Sequence, residues 1–301
     1  MRTETEAAAT ELFEAHRPRL VRLAYRMLGS VDEAEDIAQE AWLRWQRDAR
    51  DDVREPGAFL TRTVTRLCLD TMKSARVRRE TYVGNWLPEP IAEPQTPDFG
   101  DDPGDDLTMT LMLALERLSP LERAAFLLHD VFGIPLQEVA GTLNREAGTV
   151  RQLAARARQH LQAARPRFPV ERNEGEALAQ AFFTASRSGD VDALRTLLAE
   201  KVVLQSDGGG KVKAFLNPIV GQERLLRLYR GLAKKHTDVP PLLVQSLWID
   251  GLPGFISRER GILQSTALAI EDGRIVAIYV TRNPDKLNRI ARVLPPRFPA
   301  T

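Results

Sequence analysis

Residues 118–161 read LSPLERAAFLLHDVFGIPLQEVAGTLNREAGTVRQLAARARQHL, and this stretch decides the fold at the centre of the chain. Apolar residues recur at buried-face spacing over Leu136–Leu143, and Pro135 suits the first position of that helix, where its missing N–H costs nothing. Asn144 and Gly148 then interrupt the pattern as turn residues do, before a second periodic run. The spacing predicts a helix-turn-helix.

The second of these helices carries long polar side chains opposite its apolar stripe. Arginine pairs bidentately with guanine in the major groove, and glutamine pairs in the same way with adenine. A solvated face on an ordinary helical protein is the alternative interpretation. The candidate DNA-binding residues of this helix are Thr149, Arg151, Gln152, Arg156 and Arg158.

Composition narrows the class of protein. The 301 residues are 43% hydrophobic, which is typical of two or three soluble domains. Because no segment has transmembrane length and the N-terminal residues are acidic and polar, we expect a cytoplasmic protein without membrane contact. The single cysteine, Cys68, excludes an internal disulfide and suits a helix core. The four histidines form no metal-ligand pattern, so neither a metal nor a cofactor is expected.

The net charge of +1 conceals a purely acidic segment. Residues 86–106, WLPEPIAEPQTPDFGDDPGDD, carry seven acidic and no basic side chains and contain five prolines. Such a composition predicts a linker, which in extended form reaches roughly 65 Å. That reach corresponds to about 19 base pairs. A solvated spacer is the alternative, although the Trp-Leu pair at its start would then expose apolar surface.

Residues 1–85 show three amphipathic helical patterns. Gly29 ends the first, a Ser30–Glu33 capping box starts the second, and the third begins near Pro56. The second helix has a polar face that is free for a basic partner, formed by Asp36, Gln39 and Glu40. The third directs basic residues to solvent or to phosphate, among them Arg62, Arg66, Lys73 and Arg76.

Residues 11–166 resemble regions two and four of an extracytoplasmic-function sigma factor. The resemblance rests on VDEAEDIAQEAWLRW, the basic third helix, the acidic linker and the helix-turn-helix. It implies that Asp36, Gln39 and Glu40 dock on core RNA polymerase. It also implies that the basic third helix reads the −10 promoter element and the second helix of the helix-turn-helix reads the −35 element. Arg66 stands where many members have Asn, so the promoter sequence does not transfer.

Residues 169–301 predict an α+β domain. A helix is expected at Gln222–Lys235 and strands at Leu242–Ile249, 261–270 and 274–280, with a Glu271-Asp272-Gly273 hairpin turn. The domain resembles the SnoaL-like fold, a cone-shaped barrel. The motifs WLPEP, DGGGK and NPDKL resemble those of the sigma-factor subfamily with this extension. The implied regulatory residues are Trp86, Leu87, Pro88, Asp207, Gly208, Gly209, Gly210, Lys211, Asn283, Pro284, Asp285 and Lys286.

These patterns predict a multidomain fold: two all-α sigma domains, the second with a helix-turn-helix, plus the C-terminal α+β SnoaL-like barrel. The expected boundaries are 1–85, 86–106, 107–168 and 169–301. The expected function is promoter-specific transcription initiation, with core RNA polymerase and promoter DNA as partners and regulation in cis by the C-terminal domain. Lys211 and Lys286 are expected to attract the linker carboxylates.

Simpler interpretations and other functions stay open at this point. Asp207–Gly210 also fits a mere hairpin turn, and Asn283-Pro284 a loop start. A SnoaL-like enzyme or ligand-sensing module fused to a DNA-binding domain is one alternative function, and a regulator that binds DNA without polymerase is another. No acid–base pair is evident, with His236 near a helix end and Asp207 in a turn, so no enzymatic activity is expected. A pocket for an unidentified small ligand is left open.

Overall fold

Two structural units make up the chain. The computed structural model describes residues 2–48, 53, 55–80, 82–93, 108–161 and 170–294. The helical unit comprises Met1–Glu80, Pro97–Asp105 and Leu111–Ala164, and the sheet unit comprises Thr81–Thr96, Asp106–Thr110 and Arg165–Thr301. The linker expected at 86–106 is therefore divided between them. In the described part of the chain, no helix is long and apolar enough to cross a membrane.

The helical unit contains the N-terminal helices and the helix-turn-helix. Gly29 adopts φ 74° directly after the first helix, as predicted, and the amide of Glu33 lies 3.4 Å from the Ser30 hydroxyl at the start of the second. Cys68 is fully buried in the third helix, and burial raises the pKa of its thiol. The helices are α1 Arg2–Leu28, α2 Val31–Asp48, α3 Pro56–Glu80, α4 Met109–Leu115, α5 Pro120–Phe126, α6 Leu136–Leu143 and α7 Ala147–Leu161. The first two residues of α4 are assigned to the sheet unit.

The helix-turn-helix forms with two corrections to its predicted boundaries. Pro135 is not the first helical residue but the residue before α6, with extended ψ of 139°. Asn144 ends α6 in the left-handed conformation, as expected of a turn residue. Gly148 was expected in the turn, but it lies in the first turn of α7. The apolar stripe of α7 tolerates this shift because its buried face begins only at Val150.

The sheet unit has one mixed six-stranded sheet with helices packed against it. The order is β2-β1-β6-β5-β4-β3, in which β1 and β6 are parallel and the other pairs are antiparallel. Its elements are α8 Arg172–Ser188, α9 Val191–Leu197, β1 Leu198–Asp207, β2 Ile219–Val220, α10 Gln222–Lys235, β3 Leu242–Ile249, β4 Leu252–Glu259, β5 Ile262–Glu271, β6 Arg274–Thr281 and α11 Asn288–Val293. A 3-10 turn, Pro284–Leu287, precedes α11.

The predicted α+β architecture is confirmed, but the short strand β2 and strand β4 were not predicted. β4 contains Pro253 and Gly254, which interrupt a strand pattern in sequence. In the sheet, a Cβ on Gly254 would lie 2.2 Å from the Thr266 carbonyl oxygen, so the close approach of β5 requires glycine. Asp272 and Gly273 both adopt positive φ, as the predicted hairpin turn requires.

Candidate functional site

The first half of the predicted linker is packed into the sheet unit. Residues 87–92 are all buried, and Leu87 is fully inaccessible. The interpretation of these residues as a solvated spacer is therefore wrong. The apolar residues at the start of the predicted linker pack into the sheet unit, because burial removes them from water.

Asp207, at the end of β1, is the centre of this docking. Its carboxylate is fully buried and accepts hydrogen bonds from the Tyr82 hydroxyl at 2.6 Å and from the Leu87 amide at 2.9 Å. The Lys286 ammonium lies 2.8 Å away and neutralises its charge, and the amide of Gly209 donates at 2.9 Å. Two of these donors lie in residues 82–93, which we call the linker segment, and two belong to the body of the unit. We call Tyr82, Leu87, Asp207, Asn283 and Lys286 the linker clasp.

Asn283 and Lys286 complete the clasp from the segment after β6. The Asn283 amide group donates to the Tyr82 hydroxyl at 2.9 Å. Lys286 also donates to the Leu87 carbonyl at 2.5 Å, and its ammonium lies 4.3 Å from the centre of the Trp86 ring. This cation–π contact between Lys286 and Trp86 is attractive and adds to the ion pair of Lys286 with Asp207. Burial and the hydrogen bond to Asp207 raise the pKa of Tyr82.

The glycines after Asp207 do more than turn the chain. Gly209 adopts φ 64°, and a Cβ there would lie 2.4 Å from the Asn283 side chain. A Cβ on Gly208 would lie 2.1 Å from the Val212 carbonyl oxygen. At Gly208 and Gly209 these close contacts leave no room for a side chain, and the contact of Gly209 is with Asn283 of the clasp.

The linker is held a second time at the edge of the sheet. Ala92 forms an antiparallel bridge with Ile249, and the Glu93 amide donates to the Trp248 carbonyl at 2.9 Å. The amide of Met109 donates to the Asp250 carbonyl at 3.2 Å. Trp248 and Asp250 are two residues apart, which is at most about 7 Å of chain. The Glu93 and Met109 amides are therefore held close together at this edge of the sheet. The acidic residues of 94–106 lie outside the described residues.

The two lysines form ion pairs with aspartates of the sheet unit. Lys211 pairs with Asp285 at 2.6 Å, and Lys286 pairs with Asp207. The described linker carboxylates form ion pairs with arginines. Glu89 lies 3.5 Å from Arg289, and Glu93 lies 2.5 Å from Arg172. Of the other motif residues, Pro88 is buried, whereas Pro284 and Gly210 are exposed.

The residues expected to meet polymerase and DNA lie on the surface of the helical unit. On α2, Asp36 and Gln39 are exposed and Glu40 binds Arg44 at 2.8 Å. On α3, Arg62 and Arg66 are exposed and Lys73 binds Asp70 at 2.8 Å, while the Arg76 side chain lies outside the described residues. On α7, the exposed predicted residues are Thr149, Arg151, Gln152, Arg156 and Arg158. Arg158 differs from the others because it binds Asp130 at 2.7 Å.

A buried arginine that sequence analysis missed joins the two halves of the helical unit. Arg123 of α5 is almost fully buried and donates to the Met27 carbonyl of α1 at 2.6 Å. It also binds the Leu115 carbonyl at 2.9 Å and the Glu116 carboxylate at 2.7 Å. Burial lowers the pKa of Arg123 to about 9, so it stays charged at neutral pH. An arginine in a helical pattern carries no sequence signal of burial, because arginines are mostly exposed.

Family models place both halves of this unit. The family model of Sigma-70 region 2 matches residues 12–78, and that of Sigma-70 region 4 matches residues 108–161. The three N-terminal helices and the helix-turn-helix therefore define a sigma factor.

Relatives extend over the whole chain. The ECF RNA polymerase sigma factor SigJ of Mycobacterium tuberculosis is 36% identical over 287 residues, which are 91% of each chain. The probable ECF RNA polymerase sigma factor SigI of the same species is 34% identical over 92% of this chain and 93% of its own. The crystal structure of SigJ superposes with a TM-score of 0.73 at 32% identity, covering 93% of this chain and 98% of that one. The chain belongs to the ECF RNA polymerase sigma factors, and it is an alternative sigma factor that directs transcription.

The clasp leads to a stability prediction. Asp207→Asn removes the charge that neutralises buried Lys286, and we expect the free energy of unfolding of the sheet unit to fall by about 3–5 kcal/mol. Asp285→Asn is the matched control, because its pair with Lys211 is exposed and should be worth less than about 1 kcal/mol. Urea unfolding followed by circular dichroism measures both. Equal midpoints for the two variants would contradict the central role of Asp207.

Proposed function

We propose that the sheet unit regulates this sigma factor in cis by holding the linker. The observation that carries the proposal is the linker clasp. In it, the fully buried Asp207 carboxylate accepts hydrogen bonds from both the linker segment and the body of the sheet unit. The proposal gives the sheet unit a regulatory rather than a catalytic role.

The consequence of the clasp follows from chain connectivity. Region 2 ends in α3 and region 4 begins in α4, so the two are joined only through the clasped segment and the acidic residues after it. Within the helical unit, Arg123 holds α5 against the end of α1. Only an extended linker could span roughly 65 Å, which corresponds to about 19 base pairs of duplex. For regions 2 and 4 to read two promoter elements that far apart, the Arg123 contact and at least one linker attachment must open. The clasp favours the closed state, and its release favours initiation.

The same proposal assigns the exposed faces of the helical unit. The polar face of α2, with Asp36, Gln39 and Glu40, docks on core RNA polymerase. Basic residues of α3 contact the −10 element, and α7 enters the major groove at the −35 element. The Arg158–Asp130 pair makes Arg158 a poorer candidate for base contact than Arg151.

Run-off transcription with core polymerase tests control by the clasp. Asp207→Asn should raise promoter output at least about fivefold, since regulatory couplings are typically 1–3 kcal/mol. Tyr82→Phe removes the two hydrogen bonds of the hydroxyl, with Asp207 and with Asn283, but keeps the ring and the Asp207–Lys286 ion pair, so its effect should have the same sign and a smaller size. Glu223→Gln removes one charge from the exposed pair with Arg195, so it serves as the control and should leave output unchanged. If Asp207→Asn and Tyr82→Phe both match the control while core affinity is normal, the sheet unit does not act through the clasp.

Charge reversal on α2 tests polymerase docking. The double substitution Asp36→Lys with Glu40→Lys should weaken association with core at least about tenfold, because it places like charge against a basic partner. The fold should persist, since exposed substitutions rarely cost more than about 0.5 kcal/mol. The matched control reverses Glu11 and Glu14, which are exposed on α1. Equal core affinity of the two double variants in a titration would exclude this face.

Substitution of Arg151 tests readout by α7. Arg151→Ala should weaken binding to the best promoter by roughly 1–3 kcal/mol and relax the preference at one base pair, if its fork meets a base edge. Binding is measured for holoenzyme on a series of single-base substitutions. The exposed Arg224 of α10 supplies the control Arg224→Ala, which should change nothing. A uniform loss on every sequence, with a lower salt slope, would identify a phosphate contact instead.

A further inference from the structure

The sheet unit contains a cavity of about 620 Å³ that its proposed regulatory role does not explain. It is lined by α8 and α10, by β1, β4, β5 and β6, and by residues 211–215. Its volume lies within the range of about 300–1,000 Å³ that is typical of small-molecule sites. The described lining residues all belong to the sheet unit.

The walls of the cavity are apolar and partly aromatic. Phe182 meets Tyr229 edge to face at 5.5 Å between ring centres, and Phe183 meets Phe255 in the same way at 5.1 Å. All four rings line the cavity. Aromatic side chains in this arrangement offer a large contact area to a ring-containing ligand.

The charged groups of the cavity are predominantly basic. Among the described lining residues, Glu259 is the only acidic one, and it already pairs with His236 at 2.9 Å and with Arg282 at 3.3 Å. Six lysine and arginine residues also line the cavity, namely Arg187, Lys211, Lys213, Lys235, Arg260 and Arg282. An apolar cavity with this excess of positive charge favours a ligand that carries a negative group.

Arg282 is the residue best placed to receive that group. Its side chain is 17% exposed, and its buried Nε has no hydrogen-bond partner in the part of the chain that the structure describes. A buried donor of this kind costs free energy unless an acceptor meets it, and a carboxylate or sulfonate would do so with a charge-assisted bond. We propose that the cavity binds a small aromatic organic acid, with its anionic group at Arg282 and its rings among the four aromatic side chains.

The position of the cavity also connects its occupancy to the linker clasp, and this part rests on the proposed function. The Arg282 and Asn283 amides both donate to the Asp207 carbonyl, at 2.7 and 3.0 Å. Lining residues 211–215 directly follow Gly208–Gly210, and the Asn85 side chain donates to the Phe215 carbonyl at 3.2 Å. A ligand that moves Arg282 or this segment therefore acts directly on the groups that hold the linker.

Binding is tested on the full chain with a matched pair of dyes. Anilinonaphthalene sulfonate is an aromatic acid, and phenylnaphthylamine has the same rings without the acid. The sulfonate should bind the wild type, and Arg282→Gln should weaken it at least about tenfold while changing the neutral dye little. Arg227→Gln, on the exposed face of α10, is the matched control. Leu232→Trp fills the cavity and should abolish binding of both dyes.

The outcomes separate the parts of the proposal. Sulfonate affinity that is unaffected by both Arg282→Gln and Leu232→Trp overturns the site, and a loss of both dyes in Arg282→Gln overturns the anion role. If Leu232→Trp fails to fold, the comparison of the two dyes in Arg282→Gln still decides. Hydrogen exchange of the Leu87 amide, with and without the sulfonate, tests the connection to the clasp, which an unchanged rate overturns. Transcription of Asp207→Asn tests cis control independently of any ligand.

Discussion

The ion pair of Asp207 with Lys286 is the constraint on which the sheet unit depends. A carboxylate without solvent exposure is tolerated only if it is neutralised and its oxygens are hydrogen-bonded. Lys286 supplies the charge, and the remaining bonds come from Tyr82, the Leu87 amide and the Gly209 amide. Since two of these groups lie in the linker segment, the docked linker is part of the solvation of Asp207. Displacing the linker would leave the carboxylate with too few donors.

A second buried charge has the corresponding role in the helical unit. Arg123 binds carbonyl groups at the ends of two helices, and its guanidinium is neutralised by Glu116. Carbonyls at a helix C-terminus have no partner within the helix and carry partial negative charge, so an arginine there is favourable. The contact between α5 and α1 is therefore polar at its centre.

The family assignment and the linker clasp concern different parts of the chain. Regions 2 and 4 account for the helical unit, and the long relatives SigJ and SigI show that the additional C-terminal part is shared by other members. The described linker residues belong with that additional part and not with the helices they connect. Any effect of the sheet unit on the distance between regions 2 and 4 can therefore pass through the linker itself.

The sequence by itself determined the elements whose signals are local. Gly29, Asn144 and the Asp272-Gly273 turn end or connect elements through their own φ preferences, and helical periodicity placed Gln222–Lys235 correctly. The motif residues Leu87, Asp207 and Lys286 were also singled out from sequence, although their partners were not. Strand β4 was missed because its proline and glycine resemble a turn until the neighbouring strand is known.

Only the tertiary structure decided which charges meet and which apolar residues are buried. Lys211 and Lys286 were expected at the linker carboxylates, but the fold pairs them with Asp285 and Asp207. The burial of Arg123, the return of Met109 to Asp250 and the cavity at Arg282 are likewise invisible in sequence. The reason is physical: hydrogen bonds and ion pairs act over a few ångströms between residues far apart in the chain, so their partners are defined only when folding brings the elements together.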